Sequence, residues 1–188
     1  MITVKEKKHY AKSDDNRIEI RSLKNDDLSF FYLDWQKSYY KDNYAYTLSQ
    51  EEFERLVKND LKNKIVFIIL INKTPCGEIT LWKDSILRKL NKQCKKPVYG
   101  VSIQYQTPAD DMTQEKVIKL LHGIITKDNL KIRTLSATPE KNALKAYLNC
   151  GYKQILSEDL KSVIDTFFQT FDSENKDISS DIVLYHFS

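Results

Sequence analysis

The chain has 188 residues, 41% of them hydrophobic, and a formal net charge of +4, which suits one well-buried core and argues against a nucleic-acid-binding protein. Cys76, Cys94 and Cys150 are odd in number and widely spaced with no C-x-x-C pattern, so free thiols are expected, with neither a disulfide scaffold nor a metal. No apolar run nears the ~20 residues that cross a bilayer, and residues 1–16 hold no apolar signal core, so a soluble cytoplasmic protein without a membrane partner is expected.

Residues 1–16, polar and carrying Lys5, Lys7, Lys8 and Lys12, read as a flexible tail ahead of a single domain at 17–188. Arg17 to Ser22, RIEIRS, alternates apolar and charged residues as a half-buried strand does. Asn25 and Asp26 then offer caps for Leu28, Phe31, Tyr32, Trp35 and Tyr39 at helical spacing, and Ser49 with Glu52 forms a capping box before a second helix. The β-branched run Ile65 to Ile71, the turn residues Asn72 to Gly77 and the alternating Glu78 to Trp82 predict an antiparallel hairpin.

Lys83, Arg88, Lys89, Lys92, Lys95 and Lys96 follow, opposed only by Asp84: a solvated basic loop, or a contact for an anionic partner. Tyr99 to Tyr105 predicts a fourth strand, and Val117, Ile118, Leu120, Leu121, Ile124 and Ile125 a helix packed on the sheet. IRTLSA, Ile132 to Ala137, is a fifth strand, followed by a helix bracketed by Thr138 as N-cap, Pro139 at N1 and Gly151 at C′. YKQIL and Asp181 to Phe187 close the sheet. The fold class expected is α/β of the α+β kind, a mixed and mostly antiparallel central sheet flanked by about four helices.

This order, together with NALKAYLNCGY at Asn142 to Tyr152, resembles the GCN5-related N-acetyltransferase superfamily. Ala143, Tyr147, Gly151 and Tyr152 stand in register with that family's N-x-x-A-x-x-x-Y-x-x-x-G-F motif. RIEIRSLKNDDLSFF looks like its first strand and helix, and VFIILINKTPCGEITL like its second and third strands, so the likeness spans Arg17 to Leu156. It implies acetyl-CoA as acyl donor, direct transfer to a primary amine of a small molecule or protein, and a chain that is compatible with an oligomer.

The resemblance also implies a site. In the family the donor's diphosphate rests on backbone N–H groups at the start of the third helix, where unpaired donors and the positive end of the helix dipole favour an anion. A Q/R-x-x-G-x-G/A loop leads into that helix, because glycines let the backbone approach closely. In QTPADDMTQEKV, Gln106 to Val117, the glycine positions hold Ala109, Asp111 and Thr113. Asp111 or Thr113 then serves as an ordinary N-cap in competition with a phosphate, and Asp110 and Asp111 repel one unless they turn outward. Met112, Thr113 and Gln114, with Ile103 and Tyr105 on the fourth strand and Asn142, are the implied donor-binding residues.

Tyr147 matches the tyrosine that acts as acid on the leaving thiolate in many relatives; the alternative is a packing aromatic. Glu78 is the candidate base, or else a surface glutamate on a strand. Trp35, Tyr39 and Tyr40 are either an aromatic lip for a cationic amine or packing residues, Trp35 and Tyr39 in the core and Tyr40 an ordinary half-buried aromatic. His9, His122 and His186 have no partner readable from spacing and receive no role. Two readings stand: an N-acetyltransferase, or a catalytically weak or inactive module of the same fold with an eroded donor loop, kept for binding a partner through the aromatic segment or the lysine loop.

Overall fold

A computed structural model of the chain describes residues 9–28, 49, 51–52, 55, 62, 64–83, 98–107, 109–139, 142–155 and 182–187. The chain groups into two compact units, Met1–Trp82 with Ile103–Pro108, and Lys83–Ser102 with Ala109–Ser188.

In the first unit the strands are β1 (Tyr10–Lys12), β2 (Ile18–Ser22), β3 (Lys64–Ile71), β4 (Thr74–Lys83) and the end of β5 (Val98–Tyr105), hydrogen-bonded in that order. Ile18 and Ile20 of β2 point into the core while Glu19 and Arg21 stay half-buried, the period of two that the alternation predicts. Phe67, Ile68 and Ile69 of β3 are sealed in succession, so this strand is covered on both faces, which explains its unbroken apolar run.

Three local expectations are corrected here. Tyr10–Lys12, read from the sequence as tail, is a strand paired with β2. Polar turn chemistry builds that hairpin: the Ser13 hydroxyl accepts from Ile18 N–H at 3.0 Å, Asn16 sits at φ 57°, and Tyr10 and Lys12 both reach Glu19. No hydrophobic alternation announces such a pairing. The β3–β4 turn is tighter than Asn72 to Gly77, because Asn72 and Lys73 alone carry it at φ 50° and 67°, both positive as a two-residue type I′ hairpin turn needs. Gly77 is therefore a strand residue. The register jumps from Ile69↔Gly77 to Leu70↔Pro75, leaving Cys76 as the bulged residue. Gly77 then lies so near β5 that an added Cβ would run into the Gln104 carbonyl oxygen.

At the end of β2, Arg21 grips Asp27 through two bonds, Nη1 to Oδ2 at 2.6 Å and Nη2 to Oδ1 at 2.8 Å. Lys24 N–H donates to the same carboxylate at 2.7 Å, which closes a 3-10 turn at Asn25–Asp27 where the sequence suggested caps at Asn25 or Asp26. Burial pushes the Asp27 carboxyl up, but the Arg21 and Lys24 bonds outweigh it and hold the group below the usual range.

The second unit takes the start of β5, then α1 (Asp111–Lys127), β6 (Thr134–Ala137), α2 (Leu144–Asn149), β7 (Lys153–Ile155) and β8 (Ile182–His186), with strand order β5-β6-β8-β7. β5 and β6 are parallel, with α1 as the crossover; β6–β8 and β7–β8 are antiparallel. The fold class is thus mixed α/β with mostly antiparallel strands. Val117, Ile118, Leu121, Ile124 and Ile125 form the buried stripe of α1, as their spacing predicts.

Among the described residues there are two helices of this kind, against about four expected. The first two expected helices fall largely outside the described residues, although Glu51, Glu52 and Arg55 are helical. Ser49 N–H donates to Glu52 Oε2 at 2.9 Å and Glu52 N–H to Ser49 Oγ at 3.3 Å, which is the capping box. α2 begins at Leu144, later than Thr138 and Pro139 suggested. Pro139 is buried just beyond β6 in non-helical backbone, and the first helical acceptor is the Ala143 carbonyl.

Candidate functional site

The site is built around the end of α2. Gly151 sits at φ 90° just past the Cys150 C-cap, a conformation that a side chain disfavours. That reversal sends Tyr152 N–H back to the Tyr147 carbonyl at 3.2 Å, the 6→1 bond of a Schellman motif. The motif brings its own apolar contact between the third-from-last helical residue and the second residue beyond the cap, here Tyr147 and Tyr152. Their rings meet edge to face at 4.9 Å and 84°. The tyrosine, glycine and aromatic spacing of Asn142 to Tyr152 is therefore a capping device that fixes one tyrosine against another.

Tyr147 is buried, 5% exposed. Burial, and after it the neighbouring Cys150, raises its phenol well above the ordinary value, so it stays protonated at neutral pH. Burial likewise pushes the Cys150 thiol up to about 11.

Behind Tyr152 lies a histidine. His122 Nε2 is 3.2 Å from the Tyr152 hydroxyl, and its ring stacks on Tyr185 at 4.0 Å and meets Phe187 edge-on at 5.3 Å. Gly151 packs on the same wall, since a Cβ there would stand 3.3 Å from the Tyr185 ring. No partner of His122 is legible from its spacing along the chain. Its only local signal is its place four residues after Ile118, beside the apolar stripe of α1.

Burial lowers the imidazole from its ordinary 6.5 to about 4, so His122 is neutral at pH 7. Because the folded value lies below the unfolded one, the unfolded chain takes up a proton that the folded chain refuses as pH falls. Stability present above pH 6.5 should thus decline between 6.5 and 4, by up to about 3 kcal/mol. Urea unfolding at pH 7 and pH 4.5 checks this. His122→Phe should flatten that part of the pH slope, and an unchanged slope would assign it to other groups.

At the other end of the site, Asp110 is the N-cap of α1, its Oδ1 accepting from Thr113 N–H at 2.6 Å. This corrects the expectation of Asp111 or Thr113 as cap, and the reason is geometric. Asp110 has extended backbone at φ −67° and ψ 161°, which aims its carboxylate at the first turn. Asp111 instead pairs with Lys145 of α2 at 3.6 Å. Asn149 Nδ2 donates to Glu115 Oε1 at 2.7 Å, and Cys150 Sγ contacts the Glu115 carbonyl at 3.5 Å, so polar bonds staple α1 to α2.

Of the residues singled out in the sequence, Met112, Thr113 and Gln114 lie in the first turn of α1, Met112 being exposed and Gln114 bonded by its side chain to the Ala109 carbonyl at 2.8 Å. Asn142 is exposed in the turn before α2. In the first unit, Glu78 is half-buried on β4 opposite Ile68, and Ile103 and Tyr105 are half-buried on β5. Trp35, Tyr39 and Tyr40 lie outside the described residues, as does the lysine-rich segment beyond Lys83. Among the described residues no cluster of three or more His, Cys, Asp or Glu is placed to hold a metal, and no helix is long and apolar enough to cross a membrane.

No protein-family model and no curated protein sequence matches the chain. Solved structures do. RimL, a ribosomal L7/L12 alpha-N-protein acetyltransferase in complex with coenzyme A, matches with a TM-score of 0.60 at 10% identity, over 93% of this chain and 94% of that one. The aminoglycoside acetyltransferase AAC(6′)-Ib in complex with coenzyme A matches with a TM-score of 0.56 at 12% identity, over 76% and 89%. An uncharacterised protein from Bacillus halodurans gives 0.60 at 13% identity, over 95% and 90%. At such identities it is the architecture that is shared: this chain has the fold of the GCN5-related N-acetyltransferases.

Proposed function

We propose that the protein transfers an acetyl group from acetyl-CoA directly to a primary amine of a small molecule or protein. One observation carries this reading. The parallel ladder of β5 and β6 holds three pairs and stops at Gly100↔Ser136, while β5 runs on as strand to Tyr105 and α1 follows it. Strand edge and helix start then follow each other in one βαβ unit, the setting in which backbone N–H groups take a ligand's carbonyl and phosphates.

The residues present fit such a donor. The N–H groups of the first turn of α1, at Met112 and, once Asp110 yields it, at Thr113, would hold its diphosphate, while the Gln114 N–H donates to the Asp110 carbonyl at 3.0 Å and Lys145 draws Asp111 aside. Asn142 would add a polar contact from the turn before α2. Backbone N–H groups of β5 near Ile103 to Tyr105 would polarise the acyl carbonyl. The donor supplies a thioester, hence an electrophilic carbon and a thiolate leaving group. Tyr147 donates its phenolic hydrogen toward that thiolate; Glu78 accepts the proton the amine loses. Trp35, Tyr39 and Tyr40 would line the acceptor side. The neighbours' names span an aminoglycoside and a protein as acceptors, so an amine-bearing acceptor of either kind is consistent with the fold.

A binding module without turnover is the second reading, favoured by the Asp110 cap on Thr113 N–H, which occupies a donor that a phosphate would use. Millimolar acetyl-CoA separates the two. A ligand present at about 100 times its dissociation constant adds about 2.7 kcal/mol to native stability, which moves the melting temperature of a chain this size by several degrees. An unmoved melting temperature would remove the enzyme reading.

A further inference from the structure

Tyr152 does more than its capping position requires. A Schellman motif needs an apolar partner for its third-from-last residue, which a phenylalanine supplies. Here the partner carries a hydroxyl that is buried with its ring, 3% exposed, and a buried hydroxyl is costly unless bonded. Its bond is to His122, thirty residues earlier on α1. That imidazole is itself clamped between rings, stacked on Tyr185 at 4.0 Å with Phe187 edge-on at 5.3 Å, and Tyr152 meets Tyr185 at 5.3 Å. Three elements thus converge on one hydroxyl: α1, the segment after α2, and β8. The ring bearing that hydroxyl is the one standing edge-on to Tyr147.

We propose that His122 and Tyr152 are positioning residues, a hydrogen-bonded pair that locks the Tyr147 ring in the orientation from which its hydroxyl acts. This deepens the acyl-transfer reading and rests on it for the word "acts". Without the pair, the Schellman contact alone lets the Tyr152 ring pivot about its side-chain torsions, and Tyr147 loses its fixed neighbour. Neutral imidazole suits the task, because one ring nitrogen accepts while the other donates, so it bonds a hydroxyl in either sense. Neither residue touches substrate.

The test uses the full chain with ring-13C-labelled tyrosine, in the wild type and in Tyr152→Phe, His122→Phe and His122→Gln. The first two variants keep an aromatic ring and lose the bond; the glutamine amide can restore it. Tyr147 is assigned by its loss in Tyr147→Phe. The expected result is a shifted or broadened Tyr147 resonance in Tyr152→Phe and His122→Phe, with return toward the wild-type position in His122→Gln. Where the wild type turns over, kcat in the first two should fall about 10-fold, since small misplacements of a reacting group cost one to two decades, while the donor KM holds and glutamine rescues. A Tyr147 resonance unmoved in both phenylalanine variants overturns the positioning role, as does a kcat unchanged in a folded variant. A Tyr147 resonance that shifts in the phenylalanine variants, with a wild type that acetylates no amine, overturns the acyl-transfer reading and leaves the His122–Tyr152 lock standing.

Discussion

Replacing Gly77 by alanine is expected to destabilise the protein by about 3 kcal/mol or more, at the upper end of what overpacking a filled core costs. Gly77 is buried on β4, and a methyl group there would be driven into the Gln104 carbonyl oxygen and would stand 3.2 Å from the Tyr105 Cα. Both obstacles are backbone, so no rotamer change relieves the clash. Relief needs β5 to back away from β4 beside the Cys76 bulge, where Gln106 N–H is bonded to the Cys76 carbonyl at 2.9 Å. Gly123 is the control: it is exposed in α1, nothing lies within 4 Å of its added Cβ, and alanine there should gain about 0.5–1 kcal/mol from helix propensity. Urea midpoints of the two variants should move in opposite directions. A Gly77→Ala protein as stable as the wild type would mean that β4 and β5 do not approach as described.

Removing the Tyr147 hydroxyl should cost acetyl transfer about 100-fold or more in kcat, the usual worth of a positioned proton donor. Phenylalanine keeps the edge-to-face contact with Tyr152, so the C-terminal cap of α2 survives. The size and form of the effect follow from burial. Burial raises the phenol far above the range of a thiol, near 8.5 in its free state. Outright transfer of its proton to a thiolate is therefore uphill, and its work is to donate a hydrogen bond to charge as it develops, while the proton the amine sheds goes to Glu78. Such a donor strengthens as charge appears and is nearly idle before, so kcat should drop while the donor KM stays within about 3-fold. Steady-state kinetics with any amine that the wild type acetylates checks this. Undiminished turnover in Tyr147→Phe would make Tyr147 a packing residue and nothing else.

Much of the fold was legible because its signals are local. The alternation of RIEIRS, the β-branched run before Asn72 and the stripe from Val117 to Ile125 each announce one element through its own periodicity. Strand β1 carried no such signal, because its polar residues pair through backbone bonds and the Ser13 turn. Gly77 was read as a turn glycine because glycine marks turns and tight approaches alike, and only the register with β3 and the nearness of Gln104 distinguish them. At the start of α1 the sequence points to Asp111 or Thr113 as the cap, and the residue that caps is Asp110. Which one caps was decided by a single backbone ψ and by Lys145 drawing Asp111 away.

The sequence alone determined that α2 would end in a reversed cap with an aromatic folded back on Tyr147, since glycine at C′ and the residue after it are enough for that hydrogen-bonding pattern. Tertiary structure alone decided that a histidine thirty residues away would hold that aromatic by its hydroxyl, with Tyr185 and Phe187 of the last segment as walls. Periodicity and capping act over one turn of backbone, whereas the His122–Tyr152 bond exists only once α1, the segment after α2 and β8 are packed together, and no spacing along the chain encodes that distance.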